Sequence, residues 1–117
     1  MTKRDITVTL RQMRDHAREA VAMAHTRTRT DLDADRMLNL ALVRLLEISG
    51  EAANRVPPEQ RDHYPQIPWP DLVSLRNRLI HGYDQVDFDI LWEIVSRDLP
   101  VLLGELERLV PGDAPAA

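Results

Sequence analysis

The 117-residue chain has no cysteine, one lysine (Lys3), four glycines and only 4% aromatic residues. Without cysteine there is no disulfide framework, no thiolate metal site and no thiol nucleophile. With so few rings, the core must be built mainly from Leu, Val, Ile, Ala and Met. Val, Ile and Phe do not alternate with polar residues over any long run, which argues against an all-β sandwich or barrel. No apolar stretch approaches the roughly 18 residues that a membrane-spanning helix needs. Met1-Thr2-Lys3-Arg4-Asp5 leads into a charged amphipathic segment with no apolar signal core. The net charge of −4 weighs against indiscriminate coating of nucleic acid. Apolar residues at 44% and charged residues at 29% are a globular balance. The reading is a cytoplasmic, all-α single domain over residues 1–110, with a loose tail over 111–117. Lys3 apart, every cationic residue is Arg, whose planar fork grips carboxylates and phosphates. GC-rich coding produces the same bias, so composition alone decides nothing here.

Apolar residues at Ile6, Leu10, Met13, Ala17, Ala20, Val21 and Ala24 fall in steps of three and four, predicting an amphipathic helix from Ile6 to about Thr26. Thr26-Arg27-Thr28-Arg29-Thr30 has no apolar face and reads as a loop or frayed end, its arginines solvated or touching nucleic-acid phosphates. Asp31 or Asp33 is a cap for a second helix running to about Asn54. Its broad apolar surface (Met37, Leu38, Ala41, Leu42, Leu45, Leu46, Ile48, Ala52) suits the central helix of a bundle. Five prolines between Val56 and Pro70 forbid a long helix there, though Pro57-Pro58-Glu59-Gln60 allows one short turn. Pro68 or Pro70 opens a third helix through Leu72, Val73, Leu75, Leu79 and Ile80, closed by Gly82. Asp87 caps a fourth, with Phe88, Leu91, Trp92 and Val95 inward, and Pro100 kinks or divides it. The expected architecture is an up-down bundle of four to five helices.

The third helix carries an anomaly. At about 100° per residue from Trp69, Arg76 lies near 340°, between Leu72 and Val73, in the middle of the expected apolar stripe. An unpaired guanidinium in a core costs several kcal/mol, so Arg76 must be paired or must line a cleft. His81 stands just before Gly82, where the negative end of the helix dipole favours a positive ring. Asn77 lies one turn from His81 on the adjoining flank. The residues alone leave two readings open. One is a phosphate-holding Arg with a proton-exchanging His. The other is a helix-terminal His and an Arg paired to Glu47 or Glu51. Five residues place the two about 140° apart on an ideal helix, so convergence needs an unwound helix end or a second subunit.

Arg76-Asn77-Arg78-Leu79-Ile80-His81-Gly82-Tyr83 resembles the R-x4-H-x-Y signature of the HEPN superfamily, and more closely the HepT-like toxins encoded beside a minimal nucleotidyltransferase antitoxin. Leu45 to Ala53, ending in Gly50-Glu51-Ala52-Ala53, is similar to the family's second-helix segment. Ile67-Pro68-Trp69 with Asp71-Leu72-Val73, and Asp84 to Pro100, are similar to what flanks the signature. The likeness covers about residues 31 to 105 in the right order. It implies an all-α homodimer with two signatures in one cleft, acting as a metal-independent endoribonuclease without a cofactor. In it the RNA 2′-OH attacks the adjacent phosphate. Carried over, Arg76 holds the scissile phosphate, His81 acts as acid or base, and Asn77 orients His81 or a phosphate oxygen. Tyr83 matches the residue that the partner nucleotidyltransferase modifies with AMP to silence the toxin. Nucleotides there, on the face of Arg76, would add negative charge beside it. Pro70, Ser74-Leu75 and Ser49 depart from the family pattern without touching the signature. The other reading is a non-catalytic nucleotide-binding or adaptor subunit of a nucleotidyltransferase complex.

Smaller signals are weighed on the residues. Glu51 either supports the active site or belongs, with Arg44 and Glu47, to a ladder of helix ion pairs. Gly50 inside a helix costs about 1 kcal/mol against Ala, so close helix packing is its expected reason. Trp69 and Trp92 read as core or interface anchors rather than base-stacking platforms. His16, His25 and His63 have no third ligand in spacing, and no metal site is assigned.

Overall fold

Steps of three and four between apolar residues become helices through most of the chain. The structure is a computed structural model and describes residues 6–82 and 85–112. Helix α1 (Ile6–Ala24) buries Leu10, Met13, Ala17, Ala20 and Ala24. After a short α2 (Arg29–Ala34), the long α3 (Arg36–Asn54) buries Leu38, Leu42, Leu45, Leu46, Ser49 and Ala53. A four-residue α4 (Pro58–Arg61) fills the proline-rich connection, followed by α5 (Trp69–Val73) and α6 (Leu75–Leu79). The last segment is α7 (Phe88–Glu93), a π-helical turn (Ile94–Asp98) and α8 (Leu99–Leu109). Helix α3 meets α1 on one side and α5–α6 on another, the central position its wide apolar surface predicts. The described elements close around one all-α core running from Leu10 to Val110. Among the described residues no helix is long and apolar enough to cross a membrane. Met1 to Asp5, read as a non-signal leader, and residues 113–117 of the expected tail lie outside the described residues.

The segment read as a loop before α3 is partly helical, and the long helix is capped by neither Asp31 nor Asp33. Instead the Thr28 amide donates to Asp31 Oδ2 at 2.7 Å and starts α2. Asp35, extended at φ −118° and ψ 97°, then separates the two helices and accepts from the Leu38 amide at 3.1 Å. Buried Asn39 ties the corner by donating to the Leu32 carbonyl at 2.9 Å. Arg27 pairs with Asp35 at 2.7 Å and Asp31 at 3.4 Å, and Arg29 with Asp89 at 2.7 Å and Asp33 at 3.0 Å. Both arginines considered for RNA contact are thus engaged in the fold.

These contacts hold two carboxyls below the ordinary range: Asp31 through the Thr28 amide first, and Asp35 through the Leu38 amide and then Arg27. Depressed values stabilise the folded state above the ordinary carboxylate pKa, and that contribution is lost as pH falls through the depressed ones. The urea midpoint therefore drops between about pH 5 and about pH 2. An Asp31→Asn/Asp35→Asn protein shows a smaller drop in the same titration.

Trp69 is a core anchor, with Nε1 donating to the Tyr64 carbonyl at 3.0 Å. The single third helix expected from the sequence is two pieces. Ser74, at φ −91° and ψ 4°, breaks it, and its amide donates to the Pro70 carbonyl at 3.1 Å. Gly50 explains how closely α3 and this broken helix pack, because a Cβ there would stand 3.0 Å from the Leu72 carbonyl oxygen. Pro100 is accommodated in the first turn of α8 behind the π-helical turn, where the Leu99 amide donates to the Ile94 carbonyl five residues back. The fourth helix is not divided: it is continuous from Phe88 to Leu109 and changes to a π-helical turn just before Pro100.

Arg14 was not singled out by its sequence context and is buried, only 3% exposed. Its Nη1 donates to the Val110 carbonyl at 2.6 Å, and Nε and Nη2 donate to Asp15 Oδ1 at 3.0 and 2.9 Å. The guanidinium thereby caps the C-terminal end of α8 and binds it to α1. Arg14→Leu keeps much of the packing volume but strands a buried carbonyl, costing about 2 kcal/mol. Urea unfolding with an unchanged slope and a lower midpoint is the expected result.

Candidate active site

Helix α6 ends at Leu79 because Ile80 turns to extended backbone (φ −109°, ψ 120°) and pairs with Val86 in an antiparallel bridge. The His81 amide donates to the Gln85 carbonyl at 2.7 Å, and the Asp87 amide donates to the Leu79 carbonyl at 2.8 Å. Gly82, at φ +77°, lies within this loop, and among the described residues no heavy atom beyond its chain neighbours stands within 4 Å of where a Cβ would be. Backbone conformation, not space, calls for glycine there. Two expectations are corrected. Gly82 lies in a bridged loop rather than closing the helix, and His81 is not helical, so the helix-dipole argument for its ring does not apply.

The bridge sets His81 beside the start of α7. Its exposed ring has Nε2 3.5 Å from Asp87 Oδ2. Asp87 Oδ1 accepts from the Asp89 and Ile90 amides at 3.0 and 3.1 Å, so the predicted helix cap is also the neighbour of the histidine. Spacing did not point to that second role. The two residues are six apart and meet only through a loop that belongs to no regular period.

Arg76 is exposed, outside the apolar stripe expected for it. The buried stripe is Leu72, Leu75 and Leu79, while Val73 is 38% exposed and Ile80 lies past the helix end. Those two residues, used as markers of the inward face, misplaced its centre. Arg76 instead lines a groove of about 200 Å³ with Glu47, Glu51 and Asn54 of α3 and Val73 of α5. Among the described residues it forms no ion pair, so the expected pairing with Glu47 or Glu51 is not made. Glu51 Oε1 is 4.0 Å from Arg44 Nη1, an open surface contact worth little. Asn77 is exposed and makes no side-chain hydrogen bond to His81 among the described residues. Tyr83, and with it the face it was expected to share with Arg76, lies outside the described residues.

The arrangement offers an anion a guanidinium whose donors are not spent on any side chain among the described residues. Beyond the end of the same helix it offers an imidazole with one nitrogen turned to a carboxylate. Among the described residues no three carboxylate or imidazole side chains converge as a metal-ligating group. The family model described as ribonuclease HepT-like matches residues 13–109. A Methanocaldococcus jannaschii protein bearing the name "putative RNase" is 34% identical over 107 residues, covering 92% of this chain and 98% of that protein. A Thermococcus cleftensis protein named "probable ribonuclease HepT" is 39% identical over 79 residues, covering 68% of this chain and 72% of the other. A "putative RNase" of Caldanaerobacter subterraneus subsp. tengcongensis is 35% identical over 80 residues, or 68% of this chain and 71% of that one. No solved structure matches the chain significantly.

Proposed function

This chain belongs to the HepT-like ribonuclease family, and from that premise we propose that it is a metal-independent RNA endonuclease, the toxin of a toxin–antitoxin pair. The observation that carries the reading is the signature itself. Arg76 is unpaired among the described residues, and exposed His81 is contacted by Asp87 just beyond the same helix. In the reaction, the ribose 2′-oxygen attacks the adjacent phosphorus and loses its proton to a base. The bond from phosphorus to the 5′-oxygen breaks, and that oxygen takes up a proton. The products are a 2′,3′-cyclic phosphate and a free 5′-OH. Arg76 holds the phosphate and stabilises its growing charge, and His81 serves as the acid or the base.

A homodimer supplies the second acid–base group. Met37, Leu40, Arg44, Glu47, Glu51 and Asn54 follow one another in steps of three and four along α3. Met37 is 82% and Leu40 51% exposed, and the stripe runs into the groove that holds Arg76. Pairing two copies over this stripe covers the apolar end and brings two signatures toward one cleft. The partner is a nucleotidyltransferase antitoxin. Its transfer of AMP from ATP to the Tyr83 hydroxyl, with release of pyrophosphate, silences the enzyme by charge and bulk.

The test is RNA cleavage in EDTA by protein made without the antitoxin, compared with protein carrying AMP on Tyr83. Intact mass establishes the state of each. Cleavage by the unmodified dimer alone is expected. Equal cleavage by both forms contradicts the silencing, and ATP binding without any cleavage returns the adaptor reading.

A further inference from the structure

We infer that Asp87 is a positioning residue of the cleavage reaction, holding the His81 ring so that Nδ1, not Nε2, meets the RNA. The inference rests on the ribonuclease reading of His81. Asp87 is itself fixed by three hydrogen bonds. Its amide donates to the Leu79 carbonyl at 2.8 Å, and its Oδ1 accepts from the Asp89 and Ile90 amides at 3.0 and 3.1 Å. These bonds leave Oδ2 as the free carboxylate oxygen, and it stands 3.5 Å from His81 Nε2. The Ile80–Val86 bridge and the bond from the His81 amide to the Gln85 carbonyl hold the backbones of the two residues in register.

At 3.5 Å the contact is electrostatic rather than a formed hydrogen bond. Its sign is nevertheless fixed, because a carboxylate oxygen can only accept. It favours the neutral tautomer with hydrogen on Nε2, leaving the lone pair on Nδ1. His81 is exposed and no other side chain among the described residues is bonded to its ring, so the tautomer and direction of the ring depend on Asp87.

Asp87→Asn separates this role from helix capping. Asn caps a helix as well as Asp does, through the same carbonyl-type oxygen. Its amide group then faces Nε2 as a donor, which favours the opposite tautomer, with hydrogen on Nδ1. The expected result is a kcat lower by about ten- to a hundredfold, KM within about twofold and Tm within about 2 °C of wild type. Asp87→Ser, a good cap too short to reach the ring, also lowers kcat. Ring nitrogen NMR of His81 reads the tautomer without reference to activity: hydrogen on Nε2 in the wild type, and a shift toward Nδ1 in Asp87→Asn.

His81→Ala, assayed alongside, keeps the two levels of the argument apart. If His81→Ala is inactive while Asp87→Asn and Asp87→Ser match wild type in kcat, the ribonuclease reading stands and the positioning role is overturned. If His81→Ala cleaves as fast as wild type, the reading itself falls and takes the positioning role with it. A wild-type ring carrying its hydrogen on Nδ1 overturns the inference whatever the rates show.

Discussion

His81→Ala slows RNA cleavage by about a thousandfold and leaves the protein folded. The size follows from the reaction, which needs one proton removed at the 2′-oxygen and another delivered to the 5′-oxygen. A positioned imidazole typically contributes about 10² to 10⁴ in rate to such transfers. The intact fold follows from the surroundings of His81. Its ring is exposed, and among the described residues its one ion-pair contact is with Asp87, whose other oxygen goes on capping α7. Cleavage rate and urea midpoint, measured on one preparation, separate the two effects. A full rate after substitution would remove His81 from the chemistry.

Arg76→Ala is expected to lower kcat by about 10² to 10³, since in the proposed reaction the guanidinium stabilises charge that develops on the phosphate. Arg76→Lys restores only part of the rate, because an ammonium is a point charge and cannot grip two phosphate oxygens through a planar fork. Neither change should move stability by more than about 0.5 kcal/mol, as expected of an exposed side chain with no ion pair among the described residues. An Arg76 working as a salt-bridge residue predicts the reverse pattern, with stability falling and the rate preserved. Steady-state kinetics paired with denaturant unfolding decides between them.

How much was legible beforehand depended on how local the governing physics is. Helix α1, the end of α3 at Asn54, the short turn at Pro58 and the irregular helical turn before Pro100 all follow from apolar spacing and proline geometry, which act within a few residues. Asp87 could be read as a cap, and Gly50 as a point of close packing, for the same reason. What escaped depends on contacts across the chain. Asp31 starts α2 rather than α3 because Asp35 is turned to extended backbone and caps the long helix. Ser74 breaks the third helix at a residue with no breaker chemistry. Arg76 comes to the surface because the inward face is Leu72, Leu75 and Leu79, while Val73 is exposed and Ile80 lies past the helix end. Arg14 is buried because it reaches a carbonyl 96 residues away. The signature was legible as a string, yet the Asp87–His81 contact was not, because it is made by a bridge between Ile80 and Val86.

The central claim is that the enzyme uses the RNA's own 2′-hydroxyl as nucleophile. The direct measurement incubates the unmodified protein in EDTA with an RNA it cleaves, and with the same strand carrying a single 2′-deoxynucleotide at the cleaved position. The RNA is expected to end in a 2′,3′-cyclic phosphate and a free 5′-OH, and the deoxy-substituted strand to survive at that site. Cleavage of the deoxy-substituted bond, or products carrying a 5′-phosphate, would contradict it.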